Sequence, residues 1–433
     1  MNRPRRSSSA ARPVLFLVES ISVCHIARPL AIASVLRKLG IDVVFAAGEN
    51  HRAWIEEKGF TSHSIPVLSP ETVYGRLRRM QPTYHADELE NYVAFDLPLI
   101  RELNPRLIIS DMRLTASLVG QKLGIPTVSI CNGVYSPYFH ERKSTPFFLR
   151  NRWHLPQGLL DAVYSSALGR MLEPIFERPF AKPIDEVYRR HGIAPLGRFS
   201  RYMCAGDRCL IADLPRLAPL NGAPDTTVHI GPCLWDAPAA MKQHRVEVPK
   251  DAPAIYISMG TSVFPESLVG PCITALLEGG YRVVLQTGSQ TPPALPTHPR
   301  LQVHSYVSNL DVMRQVDVVV SHGGVSTGYE ALSCGVPVIG IPSFSDQQWN
   351  ADRVAAAGAG MVMNPAKVSP ASLLRATNRL RDEPGYKAAA KTIAEEMRAF
   401  SLDEALHTGL AACLPELSSK ADVKQASLAV AGF

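Results

Sequence analysis

Short apolar runs recur along the chain, separated by stretches in which apolar positions fall three or four residues apart. PVLFLVES reads as a buried strand and ARPLAIASVLRKLG as an amphipathic helix closed by Gly40. IDVVFAAG is a second strand, and HADELENYVAFDLPLIREL a helix that stops before Pro105. RLIISD, LTASLVGQKLG and IPTVSICN continue as strand, helix and strand. Strands that are apolar throughout and joined by helices belong in a parallel sheet covered on both faces.

Residues 133–200 break this rhythm. They concentrate prolines and the aromatics Tyr135, Tyr138, Phe139, Phe147, Phe148 and Trp153. The pattern predicts an insertion of helices and loops, whose aromatics serve equally as a pocket lining or as ordinary core. The polar run His140, Glu141, Arg142 and Lys143 reads as a solvated turn. The alternation restarts with AIYISMG, RVVLQTG, LQVHSYV, DVVVSHGG and PVIGIP, and closing helices cover about 369–414. The expectation is α/β: two doubly wound, Rossmann-like domains in tandem, with ligands in the cleft beyond the strand ends. The boundaries drawn are a disordered basic arm 1–12, a first domain 13–235, a linker 236–252 and a second domain 253–395. A helix 396–416 is expected to pack back toward the first domain, before a disordered tail 417–433.

Composition changes little. The 433 residues are 46% hydrophobic and 19% charged, a globular balance. Arg3, Arg5, Arg6 and Arg12 supply four of the net +6 charges, so the folded part is nearly neutral and a nucleic-acid partner is not expected. No apolar run approaches the ~18 residues of a membrane span, and Glu19 interrupts the first apolar stretch, against a secretory signal. Eight scattered cysteines without a CxxC pair fit reduced thiols in a cytoplasmic protein.

Candidate chemistry concentrates in DVVVSHGGVSTGYEALSCGVPVIGIPSFSDQQWN, residues 317–350. Gly323 and Gly324 permit a tight turn. Ser326 and Thr327 stand at a helix start, where free N–H groups favour an anion, and His322 offers a further donor. HGGVST alone fits a capped glycine turn equally well. Glu330 follows two helical turns after His322, and Asp346, Gln347 and Asn350 follow the next strand at the same sheet edge, where carboxylates and amides suit sugar hydroxyls.

This block resembles the donor-binding signature of the UDP-glycosyltransferases with the GT-B fold, a family that includes plant secondary-metabolite, mammalian glucuronosyl, and bacterial macrolide and antibiotic enzymes. The resemblance implies that His322 and Thr327 meet the diphosphate, Glu330 the ribose, and Asp346 and Gln347 the sugar. Ser326 and Gly328 depart from the common pattern. SYVSNLDVM resembles the family's base-binding turn, with Tyr306 stacking on the pyrimidine, Val307 offering backbone hydrogen bonds, Asn309 where Gln is usual and Ser308 where proline is common. SMGT resembles the turn that would place Gly260 and Thr261 near the phosphates. The chain has no Asp-x-Asp, the usual holder of a divalent cation on the diphosphate, so metal-independent transfer without a cofactor is expected.

Transfer needs a base near neutral pH, a role suited to histidine. SVCHIARP resembles the family's N-terminal Gly-His-x-x-Pro stretch, with Cys24 in place of glycine and Pro29 one residue late. It implies His25 as the base, and Asp111 at the end of RLIISD as its orienting partner. The reading is an inverting glycosyltransferase moving a sugar from a UDP- or dTDP-sugar to a hydroxyl of a natural-product-like acceptor. A glycolipid or cell-envelope precursor enzyme, a nucleotide-sugar epimerase and a non-catalytic helper subunit stay open as alternatives. Acceptor and oligomeric state are not specified by the sequence.

Overall fold

The computed structural model describes residues 12–139, 143–147, 166–234, 246–258, 266–288 and 294–417. The first half runs β1 (Val14–Val18), α1 (Cys24–Lys38), β2 (Val43–Ala47), α2 (Arg52–Glu57), β3 (Thr61–Ser64), α3 (Pro70–Arg78), α4 (Ala86–Leu103), β4 (Leu107–Asp111), α5 (Ala116–Leu123) and β5 (Thr127–Cys131). After the irregular region come α6 (Ala167–Arg190), α7 (Phe199–Met203), β6 (Arg208–Ile211) and β7 (Thr227–His229). The second half runs β8 (Ala254–Ser258), α8 (Glu266–Glu278), β9 (Arg282–Gln286), β10 (Leu301–His304), α9 (Asn309–Met313), β11 (Val318–Ser321), α10 (Val325–Ser333), β12 (Val338–Gly340), α11 (Ser345–Ala356) and β13 (Gly360–Val362). It closes with α12 (Pro370–Asp382), α13 (Pro384–Ala399) and α14 (Leu402–Leu410).

Two parallel sheets result, ordered β3-β2-β1-β4-β5-β6-β7 and β10-β9-β8-β11-β12-β13. Each reverses its winding once, between β1 and β4 and between β8 and β11. Such a switch point opens a crevice at the carboxyl ends of the two strands, and both halves of the site lie there. The central strands β1, β4, β5, β8 and β11 are buried along their whole length, and all but β5 (TVSIC) are apolar without alternation over most of their span. The short outer strands β3, β7 and β13 carry Thr, Ser, His and Gly and escaped the hydrophobic pattern, as did the four-residue β6.

Glu19, which interrupts the first apolar run, is fully buried. Its carboxylate accepts from Arg113 Nη1 at 2.8 Å and from the Tyr92 hydroxyl at 2.8 Å, while Arg113 also holds Asp96 through two bonds of 2.9 Å. The drawn boundaries shift at four places. Arg12 is no part of a loose arm: its guanidinium donates to the Asn104 and Pro105 carbonyls beyond the end of α4. Val246 and Val248 pack in the second domain's core, and Val248 N–H donates to Gln315, so 246–252 belong to that domain. Phe400 is extended and ends α13, so residues 396–399 complete that helix and α14 makes the return. Leu406, Leu410, Leu414 and Leu417 then bury against Val14 and Phe16 of the first sheet, which places Leu417 in a core rather than a tail. Residues 1–11, 235–245 and 418–433 lie outside the described residues.

Candidate active site

α1 begins at Cys24, three residues earlier than its apolar spacing indicates, so His25 sits in its first turn. His25 Nδ1 lies 2.9 Å from Asp111 Oδ1 at the end of the adjacent β4. Met112, the next residue, takes φ +60, a left-handed backbone uncommon for a non-glycine, which turns the chain sharply away after the carboxylate. The dyad expected from sequence is thus assembled across the first switch point.

A third member was missed. Arg28, one helical turn after His25, is 4% exposed and grips Asp111 with Nε to Oδ2 at 3.0 Å and Nη2 to Oδ1 at 2.8 Å. Its Nη2 also lies 3.1 Å from His25 Nδ1, and Nη1 bonds the Asn132 side-chain oxygen. The signal was present: a lone charge inside HIARPL, at the i+3 spacing that shares a helix face with His25. Burial would raise the Asp111 carboxyl, but Arg28 and His25 outweigh it and hold it ionised. The carboxylate therefore accepts from Nδ1–H and leaves Nε2 as the basic nitrogen. Burial works against the His25 imidazolium. The neighbouring Cys24 sulfur and Asp111 more than offset this and raise its proton affinity. Burial likewise works against a Cys24 thiolate, yet His25, Arg28 and the Ser22 hydroxyl at 2.9 Å lower that thiol.

Across the cleft, β11 delivers His322 and the glycines to the start of α10. Gly323 adopts φ +79, and a Cβ there would lie 2.5 Å from the Gln347 carbonyl oxygen. A Cβ on Gly324 would meet His322 Nε2 at 2.4 Å. Position 323 therefore requires glycine, whereas a side chain at Gly324 would displace the His322 ring. Ser326 and Thr327 occupy the first turn of α10 as expected. Burial drives His322 down to about 4, so its ring is neutral, and its Nδ1 has no hydrogen-bond partner among the described residues. Glu330 is 4% exposed. Burial lifts its carboxyl to about 7, against the Asn309 amide that donates to it at 2.7 Å. Asn309 in turn accepts from the Tyr256 hydroxyl at 2.6 Å.

Asp346, Gln347 and Asn350 lie on the first turns of α11 and face the same cavity as His25, Tyr306 and Thr327, about 590 Å³ in volume. Burial raises the Asp346 carboxyl, although its own and the Gln347 backbone N–H groups oppose this. One expected donor and one expected acceptor are already engaged: Val307 N–H donates to Gln286 Oε1 at 3.1 Å, and Gln347 Oε1 accepts from Ser343 N–H at 2.9 Å. Gly260 and Thr261 lie outside the described residues.

The insertion splits between the two roles left open. Tyr135 lines the cavity, whereas Phe139 and Phe147 are buried core. Phe148 and Trp153, with His140, Glu141 and Arg142, lie outside the described residues. Lys143 is no solvated turn residue: it lines the cavity, with Nζ 2.7 Å from Glu173.

A buried polar thread joins the two halves. The Tyr329 hydroxyl, on α10, donates to Asp213 Oδ1 at 2.9 Å and accepts from Leu214 N–H at 3.0 Å. Asp213 Oδ2 accepts from Gly133 N–H at 2.6 Å and from the Asn132 amide at 3.4 Å, and Asn132 meets Arg28. At the far side of the cleft, the Gln348 side chain on α11 accepts from Phe147 N–H at 2.7 Å and donates to the Thr145 carbonyl at 3.1 Å.

Residues 282–404 match the family described as Erythromycin biosynthesis protein CIII-like, C-terminal domain. A PGL/p-HBAD biosynthesis rhamnosyltransferase of Mycobacterium bovis (strain BCG / Pasteur 1173P2) is 29% identical over 386 residues, covering 89% of this chain and 84% of the relative. The fold is similar to that of the glycotransferase of kitacinnamycin, with TM-score 0.66, 22% identity and coverage of 94% and 99% of the two chains. It is also similar to the glycosyltransferase VinC in complex with dTDP, with TM-score 0.65, 20% identity and coverage of 94% and 100%.

Proposed function

We propose that this glycosyltransferase of GT-B fold belongs with the macrolide and natural-product glycosyltransferases and carries out an inverting transfer of a sugar from a nucleoside diphosphate to an acceptor hydroxyl. The observation that carries the reading is the Asp111-bound His25 facing the start of α10 across one cavity. His25 Nε2 takes the acceptor proton, and the freed oxygen attacks the anomeric carbon as the diphosphate leaves. That departing charge meets the N–H groups at the start of α10, Thr327 and a neutral His322, with no metal required. The nucleoside stacks on Tyr306. Because Val307 N–H is taken by Gln286, the base pairs through the Val307 carbonyl or the Gln286 amide. Glu330, polarised by Asn309, receives the ribose, and Asp346 and Gln347 the sugar.

A second reading of the acceptor has its own support. The mycobacterial relative acts in PGL/p-HBAD biosynthesis and is matched over most of both chains, which favours a glycolipid-type acceptor over a soluble antibiotic-like one. A helper subunit would not need the assembled dyad, and an epimerase would not need a cavity reaching the insertion. The test is sugar transfer with UDP- and dTDP-sugars in the presence of a chelator. His25→Ala should lower transfer by ~10²–10⁴ while nucleotide affinity holds. Near wild-type transfer by that variant would remove His25 as the base.

A further inference from the structure

α6 presents three faces. Ala181, Ile184, Val187 and Tyr188 are buried in the first domain's core. Leu172, Phe176 and Phe180 line the cavity. The third face carries Met171, Ile175, Arg178 and Lys182, at positions spaced by four, three and four, as one stripe requires. Met171 is 75% and Ile175 62% exposed, the two largest values among exposed large hydrophobic residues. Phe176, beside them, is 56% exposed although it also reaches the cavity.

The opposite lip of the cavity repeats the arrangement. Leu77 and Met80, at the end of α3, line the same cavity, and Met80 is 40% exposed. Arg78 and Arg79 stand exposed between them in the sequence. Four acids lie on α6: Asp185 pairs with Arg189 and accepts from the Tyr202 hydroxyl, Glu186 pairs with Arg190, and the two nearest the cavity mouth are taken up inside it. Glu173 pairs with Lys143 and Arg198, and Glu177 with Arg198 and Ser200, both turned away from the outer stripe. Apolar side chains at a cavity mouth, flanked by exposed cations, match the chemistry of a bilayer surface: acyl chains below, anionic headgroups above.

We infer that the outer stripe of α6 and the end of α3 form a docking surface for an anionic lipid bilayer, which sets the acceptor cavity at the membrane. Met171 and Ile175 enter the acyl boundary, Arg178, Lys182, Arg78 and Arg79 engage headgroups, and Phe176 continues the apolar path inward. An acceptor with a lipid tail then reaches His25 without leaving an apolar environment. No helix of the described residues is long and apolar enough to span a bilayer, so the attachment is peripheral.

Vesicle flotation of the full chain tests this without reliance on the transferase reading. The wild type should float with phosphatidylcholine vesicles containing phosphatidylglycerol, float much less with phosphatidylcholine alone, and be released by salt. Arg178→Glu/Lys182→Glu should weaken the first interaction by at least the factor of about five expected for each basic side chain at an anionic surface. Met171→Ser/Ile175→Asn should abolish flotation. A thermal shift with UDP or dTDP checks that each variant is folded, and failure of that shift in the wild type would count against the donor site alone. Absence of wild-type flotation on anionic vesicles, or flotation equal in all variants, would overturn the docking surface. So would a concentration-dependent dimer lost with Met171→Ser/Ile175→Asn, which would assign the stripe to a second copy of the chain.

Discussion

Arg28 changes how the proposed base, His25, is understood. A buried carboxylate bound only to a histidine would share its proton with it. One already neutralised by a bidentate guanidinium stays ionised and serves as a fixed acceptor for Nδ1–H. Cys24 adds a second influence, because its sulfur and the imidazole favour each other's charged forms. The base must be neutral to act, and its proton affinity is raised. The ascending limb of kcat/KM should therefore lie above the ordinary imidazole range of about 6.5. For stability the sign is opposite: the stabilisation from His25 is complete below that ordinary value and is lost as pH rises through the raised one. Cys24→Ala should move the ascending limb to lower pH, read from kcat/KM profiles of the two proteins. A limb that stays in place would show that the sulfur does not act on His25. His25 and Asp111 were legible because strand ends and a family motif mark them. Arg28 was harder to see, because a charge within an apolar helix acquires meaning only once β4 is known to lie alongside β1.

At the scale of elements, the junction of β11 and α10 has the tightest geometric demands. Gly323 needs both a left-handed backbone and the absence of a side chain, since the Gln347 carbonyl of α11 fills the space. Gly323→Ala incurs about 1–2 kcal/mol from the backbone alone, before α11 is pushed away. Thermal denaturation should show that loss, and calorimetry a larger loss of nucleotide affinity, because α10 and α11 carry both sets of proposed donor contacts. Unchanged nucleotide affinity would separate the glycine turn from the donor site. The central strands and the long amphipathic helices could be read from sequence because full burial or a 3.6-residue period leaves a clear mark. The outer strands could not, because β3, β7 and β13 are short and bury few apolar side chains. α6 was also obscured, since Pro174, Pro179 and Pro183 within its 24 residues speak against a helix until packing against α4 and α7 is seen.

The whole molecule is two sheets joined by both apolar and polar contacts: Leu214 and Leu217 pack into the second domain's core, and a buried polar thread runs beside them. Tyr329 is the hinge of this arrangement: its hydroxyl meets both Asp213 and the Leu214 backbone, and it neighbours Glu330 on the donor helix. Tyr329→Phe leaves a buried carboxylate oxygen and a buried N–H without a partner, at about 1–3 kcal/mol. It should lower the denaturation midpoint, and it should reduce kcat more than nucleotide affinity, since Asn132 and Arg28 lose their support from the second domain. Equal losses in both would make Tyr329 a local packing residue only. α14 contributes a different tie, carrying Leu406, Leu410, Leu414 and Leu417 into the first sheet's core after the second domain is complete.

The thread from Tyr329 to His25 passes through Asp213, Asn132, Arg28 and Asp111, and it includes none of the residues that α6 offers to the cavity. On the proposed function, acceptor recognition and base alignment are therefore built from separate parts of the chain. Leu172, Phe176 and Phe180 can change size and shape over evolutionary time, or at the hands of an engineer, while the proton-accepting nitrogen keeps its place. A lineage with this layout can diversify what it glycosylates without re-inventing how it does so.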